Sequence, residues 1–310
     1  MRRLAAPLRL TWDWDWPPIV HPGAPRRRPT PEEVRTIGAE IVRAGVLLLE
    51  VGYPDAQAVR SGELAGALAG FAGSLSVVLD PRGAEALAGV DLCADLGAEE
   101  VWVDATPVGD CGLPAVPAAW PAVRFHLTAA NAAAVAAGIE RAAGAGATAV
   151  SLPNLPLFGE LLRAQGAAPT ARELGVVADA IVAALRRRPD LDLRIHHYGL
   201  WERLRAAGVQ PRGEAGEGGC QAGAALAYID PAGVLHPCAS LPVPLARVGS
   251  GAIRAAWAGA ELAALRAEVE RVPARCAACP AEASCRGGCR GWAHYLTGTW
   301  DATGPDCTRP

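Results

Sequence analysis

The sequence predicts an α/β protein: a partial (βα)6-type, TIM-like barrel over residues 1–206, a linker over 207–219, and a small cysteine-rich domain over 220–310. Three observations predict it. Short β-rich runs alternate with helix-like runs as far as His196, the pattern of a parallel sheet with helical crossovers. The stretch GVQPRGEAGEGG at 208–219 is rich in Gly, Pro and Glu and reads as a linker. Seven of the nine cysteines lie after it: Cys220, Cys238, Cys276, Cys279, Cys285, Cys289 and Cys307.

The elements follow in order. Leu8 to Trp16 is a strand, with Trp12, Trp14 and Trp16 alternating with Asp13 and Asp15 at period two. Thr30-Pro31-Glu32-Glu33 is a capping box with proline at the first helical position, and its helix runs to about Ala44. Val46 to Glu50 is a buried strand that ends in the turn Gly52-Tyr53-Pro54-Asp55. A helix from Leu64 to Phe71, a strand from Leu75 to Leu79, a short helix near Ala84 and strands at Glu100 to Asp104 and Ala122 to Leu127 come next. An Ala-rich helix from Asn131 to Ala143 precedes the strand Thr148 to Leu152. Thr170-Ala171-Arg172-Glu173 is a second capping box, opening a helix to about Arg186, and Leu191 to His196 is the last strand before the linker. Six or seven such units point to an incomplete βα barrel, with a doubly wound open sheet as the second choice. No GxGxxG follows the first strand, so a dinucleotide-binding sheet has no support. Beyond the linker, Ala225 to Ile229 and Val234 to His236 flank the hairpin turn Asp230-Pro231-Ala232-Gly233. Ala252 to Val269 reads as one amphipathic helix, with Ile253, Trp257 and Leu265 on its apolar face.

Composition narrows the function. With 310 residues, 51% hydrophobic and 20% charged, the chain can bury a sizeable core. A net charge of −3 gives no support for a nucleic-acid partner or an acidic membrane surface. All 29 basic residues are Arg, which excludes a Schiff-base, pyridoxal-phosphate or Walker A lysine. The apolar stretch after Met1-Arg2-Arg3 is broken by Pro7, Arg9, Asp13 and Asp15, so neither a signal peptide nor a membrane span is expected. The expectation is a cytoplasmic protein whose cysteines are reduced thiols or metal ligands.

The cysteine spacing is Cys220, Cys238, then Cys276-x2-Cys279-x5-Cys285-x3-Cys289, then Cys307. Thiolates are soft ligands that suit zinc or iron–sulfur clusters. Seven ligands do not divide into tetrahedral zinc sites, but they fit one four-thiolate and one three-thiolate cluster. Zinc and disulfides remain the alternatives. Gly287, Gly288 and Gly291 let backbone N–H groups approach cluster sulfur.

This constellation resembles the seven-cysteine SPASM domain of radical S-adenosylmethionine (SAM) enzymes. The resemblance extends to Tyr228-Ile229-Asp230-Pro231, His236-Pro237-Cys238, Cys285-Arg286-Gly287-Gly288-Cys289 and Gly304-Pro305-Asp306-Cys307. It implies two auxiliary [4Fe–4S] clusters, the distal one on Cys276, Cys279, Cys285 and Cys307, the nearer one on Cys220, Cys238 and Cys289. The family often has a further cysteine soon after the first; Gln221 to Leu226 holds none, which leaves an iron open to a peptide thiol, water or a carboxylate such as Glu217.

Two departures matter. The family's first strand leads into a CxxxCxxC loop that holds the SAM-reducing cluster; here it leads into PPIVHPGAPRRRP, and no cysteine precedes Cys93. Cys93 and Cys111 cannot rebuild that loop and read as buried small apolar residues. The family's GGEP signature stands here as Val51-Gly52-Tyr53-Pro54. The resemblance therefore implies a degenerate member, a pseudoenzyme or accessory that does not cleave SAM. Trp12, Trp14 and Trp16 either fill the vacated volume or pack under helices.

βα barrels carry chemistry at the C-terminal ends of strands, near which fall Asp13, Asp15, Glu50, Asp55, Asp80, Asp104, His126, His196 and His197. None has diagnostic spacing. His236 and His294 read as hydrogen-bond partners near the cysteines, and Arg26-Arg27-Arg28 as a solvated loop or a cradle for an acidic leader peptide. The expected role is a redox or peptide-binding accessory in ribosomal peptide maturation. The expected partners are a peptide or protein substrate, an intact radical SAM enzyme, and a ferredoxin- or flavodoxin-type electron donor. The alternatives are an active radical SAM/SPASM peptide-modifying enzyme, an enzyme using an open-iron cluster, or clusters that serve only as cross-links.

Overall fold

The structure, a computed structural model, describes residues 4–20, 29–87, 91–107, 122–158, 168–209 and 219–307. Among them the strands are β1 (Arg9–Asp13), β2 (Leu48–Gly52), β3 (Ser74–Leu79), β4 (Glu100–Asp104), β5 (Ala122–Arg124), β6 (Ala149–Leu152), β7 (Asp192–Ile195), β8 (Leu226–Ile229), β9 (Val234–His236) and β10 (Ala246–Arg247). The helices are α1 (Pro31–Ala44), α2 (Ala56–Arg60), α3 (Glu63–Ala67), α4 (Pro81–Ala86), α5 (Leu92–Leu96), α6 (Ala132–Gly144), α7 (Ala171–Arg187), α8 (Tyr198–Ala206), α9 (Ala252–Ala258), α10 (Ala260–Glu270), α11 (Glu282–Cys285) and α12 (Arg290–Thr297). The fold is mixed α/β, with a parallel sheet and helical crossovers. The chain forms two compact units, one of Met1–Pro17, Gly23–Trp102 and Gln221–Glu268, the other of Pro18–Pro22, Val103–Cys220 and Val269–Pro310.

In the first unit the strand order is β10-β9-β8-β1-β2-β3. β1 lies parallel to β2, pairing Trp12 with Val51, and parallel to β8, pairing Trp12 with Ile229. β8, β9 and β10 are antiparallel neighbours, so the hairpin at Asp230-Pro231-Ala232-Gly233 forms as its turn residues require. The capping box at Thr30 closes in both directions, with the Glu33 N–H donating to the Thr30 hydroxyl and the Thr30 N–H to the Glu33 carboxylate. Helix α1 ends at Gly45, whose φ of 75° only glycine adopts cheaply, and buries Val34, Ile37 and Ile41.

One carboxylate of α1 faces inward. Glu40 is 1% exposed and accepts the Gly251 and Ile253 N–H groups, at 2.9 and 3.0 Å. It supplies the N-terminal cap that Gly251 lacks a side chain to make. Glu40→Ala is therefore expected to cost about 1–2 kcal/mol, the upper range of a lost cap, read as a lower urea midpoint at unchanged slope. An unchanged midpoint removes this role.

In the second unit β5, β6 and β7 are parallel neighbours. Val123, Phe125, Val150, Leu152, Leu193 and Ile195 line one face and pack against Val135 and Ile139 of α6 and Leu174, Val177 and Ile181 of α7. The alternation of these residues with Arg124, Ser151 and Arg194 is the period-two signature of a strand. The Thr170–Glu173 capping box forms as expected.

Several boundaries differ from the sequence expectation. The second strand runs over Leu48–Gly52, two residues later than the apolar run, because pairing with β1 and β3 sets its register and leaves Leu47 exposed. The helix expected at 64–71 runs over Glu63–Ala67 (α3), and a short helix not expected, α2, precedes it across Gly62 with φ 76°. The helix expected at 252–269 breaks at Gly259, which is extended. β1 is shorter than the Trp alternation implies, and Asp13 is as buried as Trp12 and Trp14. Arg26 to Arg28, Cys111, Glu217 and most of the linker lie outside the described residues, and nothing is described of the Cys93 side chain.

Candidate functional site: a thiol-lined cavity and a filled strand end

Cys276, Cys279, Cys285 and Cys307 line one cavity in the second unit, with Tyr198, Glu202 and Asp306. Local turns bring them there. A short 3-10 turn carries Cys276; the Cys279 N–H donates to the Cys276 carbonyl, and the Glu282 N–H to that of Cys279. α11 delivers Cys285 and stops at Arg286, left-handed with φ 49°, followed by Gly287 and Gly288 at φ 95° and 71°. This run of positive φ curls the chain so that the Gly287 and Gly288 N–H groups reach the Cys285 sulfur. A Cβ on Gly287 would lie 2.8 Å from the Pro273 ring, so only glycine fits. The Cys307 N–H donates to the Gly304 carbonyl, and Gly304 in turn to Gly287.

Helix α8 buttresses the cavity. The Gly199 N–H donates to Asp306 Oδ2 at 3.1 Å, and the Tyr198 and Ser284 hydroxyls are 2.9 Å apart. A Cβ on Gly199 would sit 2.1 Å from the Asp306 carbonyl, so the helix docks through its backbone. The Trp292 indole N–H donates to the Leu155 carbonyl, tying α12 to the end of β6.

None of the seven C-terminal cysteines forms a disulfide. Burial pushes the Cys285 thiol up to about 12, and burial also raises Cys276. Among the described residues no three His, Cys, Asp or Glu groups come close enough to share one metal ion. Four thiols around one cavity are the ligand set that a four-iron cluster requires, in which each thiolate would bind a separate iron.

Of the remaining cysteines, Cys220 and Cys289 belong to the second unit and Cys238 to the first. Cys289 caps α12. Cys238 follows β9, and its sulfur accepts the Ser240 N–H at 3.4 Å.

The strand ends of the first unit are filled. Asp13 is 5% exposed and accepts a 2.9 Å hydrogen bond from the Tyr228 hydroxyl. A Cβ on Gly52 would come within 1.9 Å of Asp13 Oδ1. Tyr53, which stands where the family's Glu would, is buried and left-handed at φ 53°, held by its N–H to the Val78 carbonyl at 2.7 Å. Trp12 lies on the strand face opposite Asp13, with Val51 and Ile229 as register neighbours, and its ring is 5.3 Å from that of Trp14. The apolar neighbours place Trp12 among core residues; Trp16 is half-buried.

Burial and the Asp13 carboxylate push the Tyr228 phenol well above its usual range. The native state then holds that proton longer than the unfolded chain. Its contribution is complete below pH ~10 and is lost as pH rises toward the raised native value, by about 1.4 kcal/mol per pH unit. Tyr228→Phe is expected to flatten part of that alkaline loss and, by stranding Asp13, to cost about 1–3 kcal/mol near neutrality. Urea titrations at pH 7 and 10.5 measure both; a variant with the same pH dependence as the parent refutes the coupling.

The other strand-end residues are mostly satisfied locally. Asp55 and Asp80 cap α2 and α4. Asp15 accepts the Trp16 N–H, and Glu50 pairs with Arg9 at 3.5 Å. Asp104 accepts from the Thr106 N–H and hydroxyl and lies 3.5 Å from His126 Nε2. His196 is half-buried; His197 is buried, and desolvation lowers its pKa. His236 hydrogen-bonds Asp230 at 3.1 Å, and His294 stacks on Trp300 with centroids 4.1 Å apart. The pairings of Asp13 with Tyr228, Asp306 with Gly199 and Glu40 with Gly251 carry no signal in the sequence, because the partners lie 215, 107 and 211 residues apart.

No helix among the described residues is long and apolar enough to cross a membrane. No family model matches the chain, and no curated protein does. Solved structures do. Streptococcus suis SuiB bound to precursor peptide SuiA is similar at a TM-score of 0.60 and 12% identity, over 99% of this chain and 77% of that one. SuiB bound to S-adenosylmethionine is similar at 0.58 and 12%, over 99% and 78%. Native anSMEcpe with bound AdoMet is similar at 0.63 and 11%, over 97% and 94%. This chain therefore has the fold of those AdoMet-binding proteins.

Proposed function

We propose that this chain is an iron–sulfur protein of the radical SAM/SPASM type that carries auxiliary clusters but not the SAM-cleaving one, and that it acts as a redox or peptide-binding accessory in peptide modification. The observation that carries this reading is the thiol-lined cavity of Cys276, Cys279, Cys285 and Cys307. These four would hold one [4Fe–4S] cluster; Cys220, Cys238 and Cys289 are assigned by resemblance to a second. The barrel and the C-terminal cysteine domain are assigned to 1–206 and 220–310 on the same basis. Bound clusters would supply one-electron transfer at a potential set by hydrogen bonds to sulfur, charge and exposure. The chain's own residues shape that site: Gly287 and Gly288 present N–H groups to Cys285, and Tyr198 and Asp306 fix the cavity wall on α8.

A peptide ligand is supported by the fold, which a structure with bound precursor peptide shares. The absence of CxxxCxxC after β1 and the filled ends of β1 and β2 support the accessory role over an active radical enzyme. Iron and sulfide analysis after anaerobic reconstitution tests the reading, with EPR of the reduced protein. About eight irons per chain are expected from two four-iron clusters. Zinc in place of iron overturns the cluster assignment.

A further inference from the structure

Arg290 opens α12 directly after Cys289, and its side chain is fully buried. A buried guanidinium is costly unless its charge and its donors are matched. Its two terminal nitrogens are matched: Nη1 donates to the Ala302 carbonyl and Nη2 to the Trp300 carbonyl. Its Nε–H is not; it is buried and has no hydrogen-bond partner. Among the described residues no carboxylate forms an ion pair with it either. Its electrostatic neighbours are the thiols of Cys220, Cys276 and Cys289, with Arg271 a further positive charge. The relation is mutual, since Cys276 feels Arg290 and Arg275 as the cations that oppose the effect of its burial. A buried donor without an acceptor calls for an acceptor that arrives from outside the polypeptide. Thiolate and sulfide are such acceptors, and an arginine stays charged in a desolvated site where other cations would lose their proton.

Resting on the cluster reading above, we propose that Arg290 is a buried counter-cation shared by the two thiolate sets, its charge acting on Cys276 of one and on Cys220 and Cys289 of the other, and that it makes the clusters easier to reduce. Adding an electron to a cluster increases its negative charge; a fixed cation with an unused N–H beside it stabilises the reduced form more than the oxidised one. Arg290 is thus a positioning and tuning residue, and the peptide carbonyls of Trp300 and Ala302 hold it in place.

The test is an EPR-monitored dithionite titration of the full-length reconstituted protein and its Arg290→Gln and Arg290→Lys variants. Glutamine removes the charge; lysine keeps it. With iron content equal to the parent, Arg290→Gln is expected to lower the reduced-to-oxidised ratio at fixed potential at least tenfold, which is about 59 mV for one electron. Arg290→Lys is expected to stay within threefold of the parent. A glutamine variant that holds full iron at an unmoved midpoint overturns the proposal. Should the glutamine variant fail to load, electron–nuclear double resonance on the reduced parent labelled with 15N-arginine decides: a nitrogen coupling supports the contact, and its absence overturns it. A parent protein without iron overturns the cluster reading itself, and is recognisable because it is seen before any substitution is made.

Discussion

Cys285→Ala is expected to reduce the iron of the reconstituted protein from about eight to about four per chain, as one of two four-iron clusters is lost. Cys285 is the best supported of the four cavity thiols. It terminates α11, it receives two backbone N–H groups, and burial holds its proton in the absence of metal. The loss reaches beyond the cluster. α11 has four residues and the turn at Cys276 three, too little to bury an apolar core of their own. Metal binding to such ligand-rich segments is folding free energy, on the order of 10 kcal/mol for structural zinc. The variant should therefore also lose ordered structure over 273–307, read as faster amide exchange there than in the reconstituted parent. Unchanged iron, or iron lost with no change in exchange, contradicts the role of Cys285.

The second large effect is an absence. Incubating the reduced protein with SAM should yield no 5′-deoxyadenosine above a protein-free control, and its EPR spectrum should be indifferent to SAM. The reason lies in residues 13–16 and 51–54. The chain leaves β1 without a thiolate, and the end of β2 reads Val51-Gly52-Tyr53-Pro54, with an aromatic ring where the family's carboxylate would meet the methionine amino group. The Asp13 carboxylate packs against Gly52 and is bonded to Tyr228. About twelve irons, or deoxyadenosine formed in proportion to protein, would mean a third cluster and an active radical enzyme.

How much of this was legible depended on the range of the interaction. The capping boxes at Thr30 and Thr170 are written within four residues, and both helices start where those residues place them. The turn at Asp230 to Gly233 is equally local. Strand ends were less legible, because pairing across the sheet rather than the apolar run decides them; β2 slips two residues for that reason. The four cavity cysteines were legible as a set only through the family resemblance, spacing alone leaving seven thiols undivided. Their supports were not: Asp306 reaches Gly199, and Arg290 serves thiols that include Cys220, seventy residues earlier. Asp13 was legible as a polar residue at a strand end, but not its burial or its partner: Arg9 and Thr11 on the same face are half-buried, and Tyr228 lies 215 residues away.

The Asp13–Gly52 contact has a bearing on ancestry. A side chain at 52 and the carboxylate at 13 compete for the same space, and the carboxylate is in turn paid for by the phenol of Tyr228. Tyr53 adds a backbone twist that a straight substitution by glutamate would inherit. Grafting a cysteine loop onto the end of β1 would therefore not by itself open space beside Gly52. Positions 13, 51, 53 and 228 would have to change together, and each intermediate would carry a stranded charge or a steric clash. Such mutual dependence works as a ratchet: a single exchange at 13, 52 or 228 meets either a steric clash or a stranded carboxylate, so this end of the sheet is expected to change only by joint substitution.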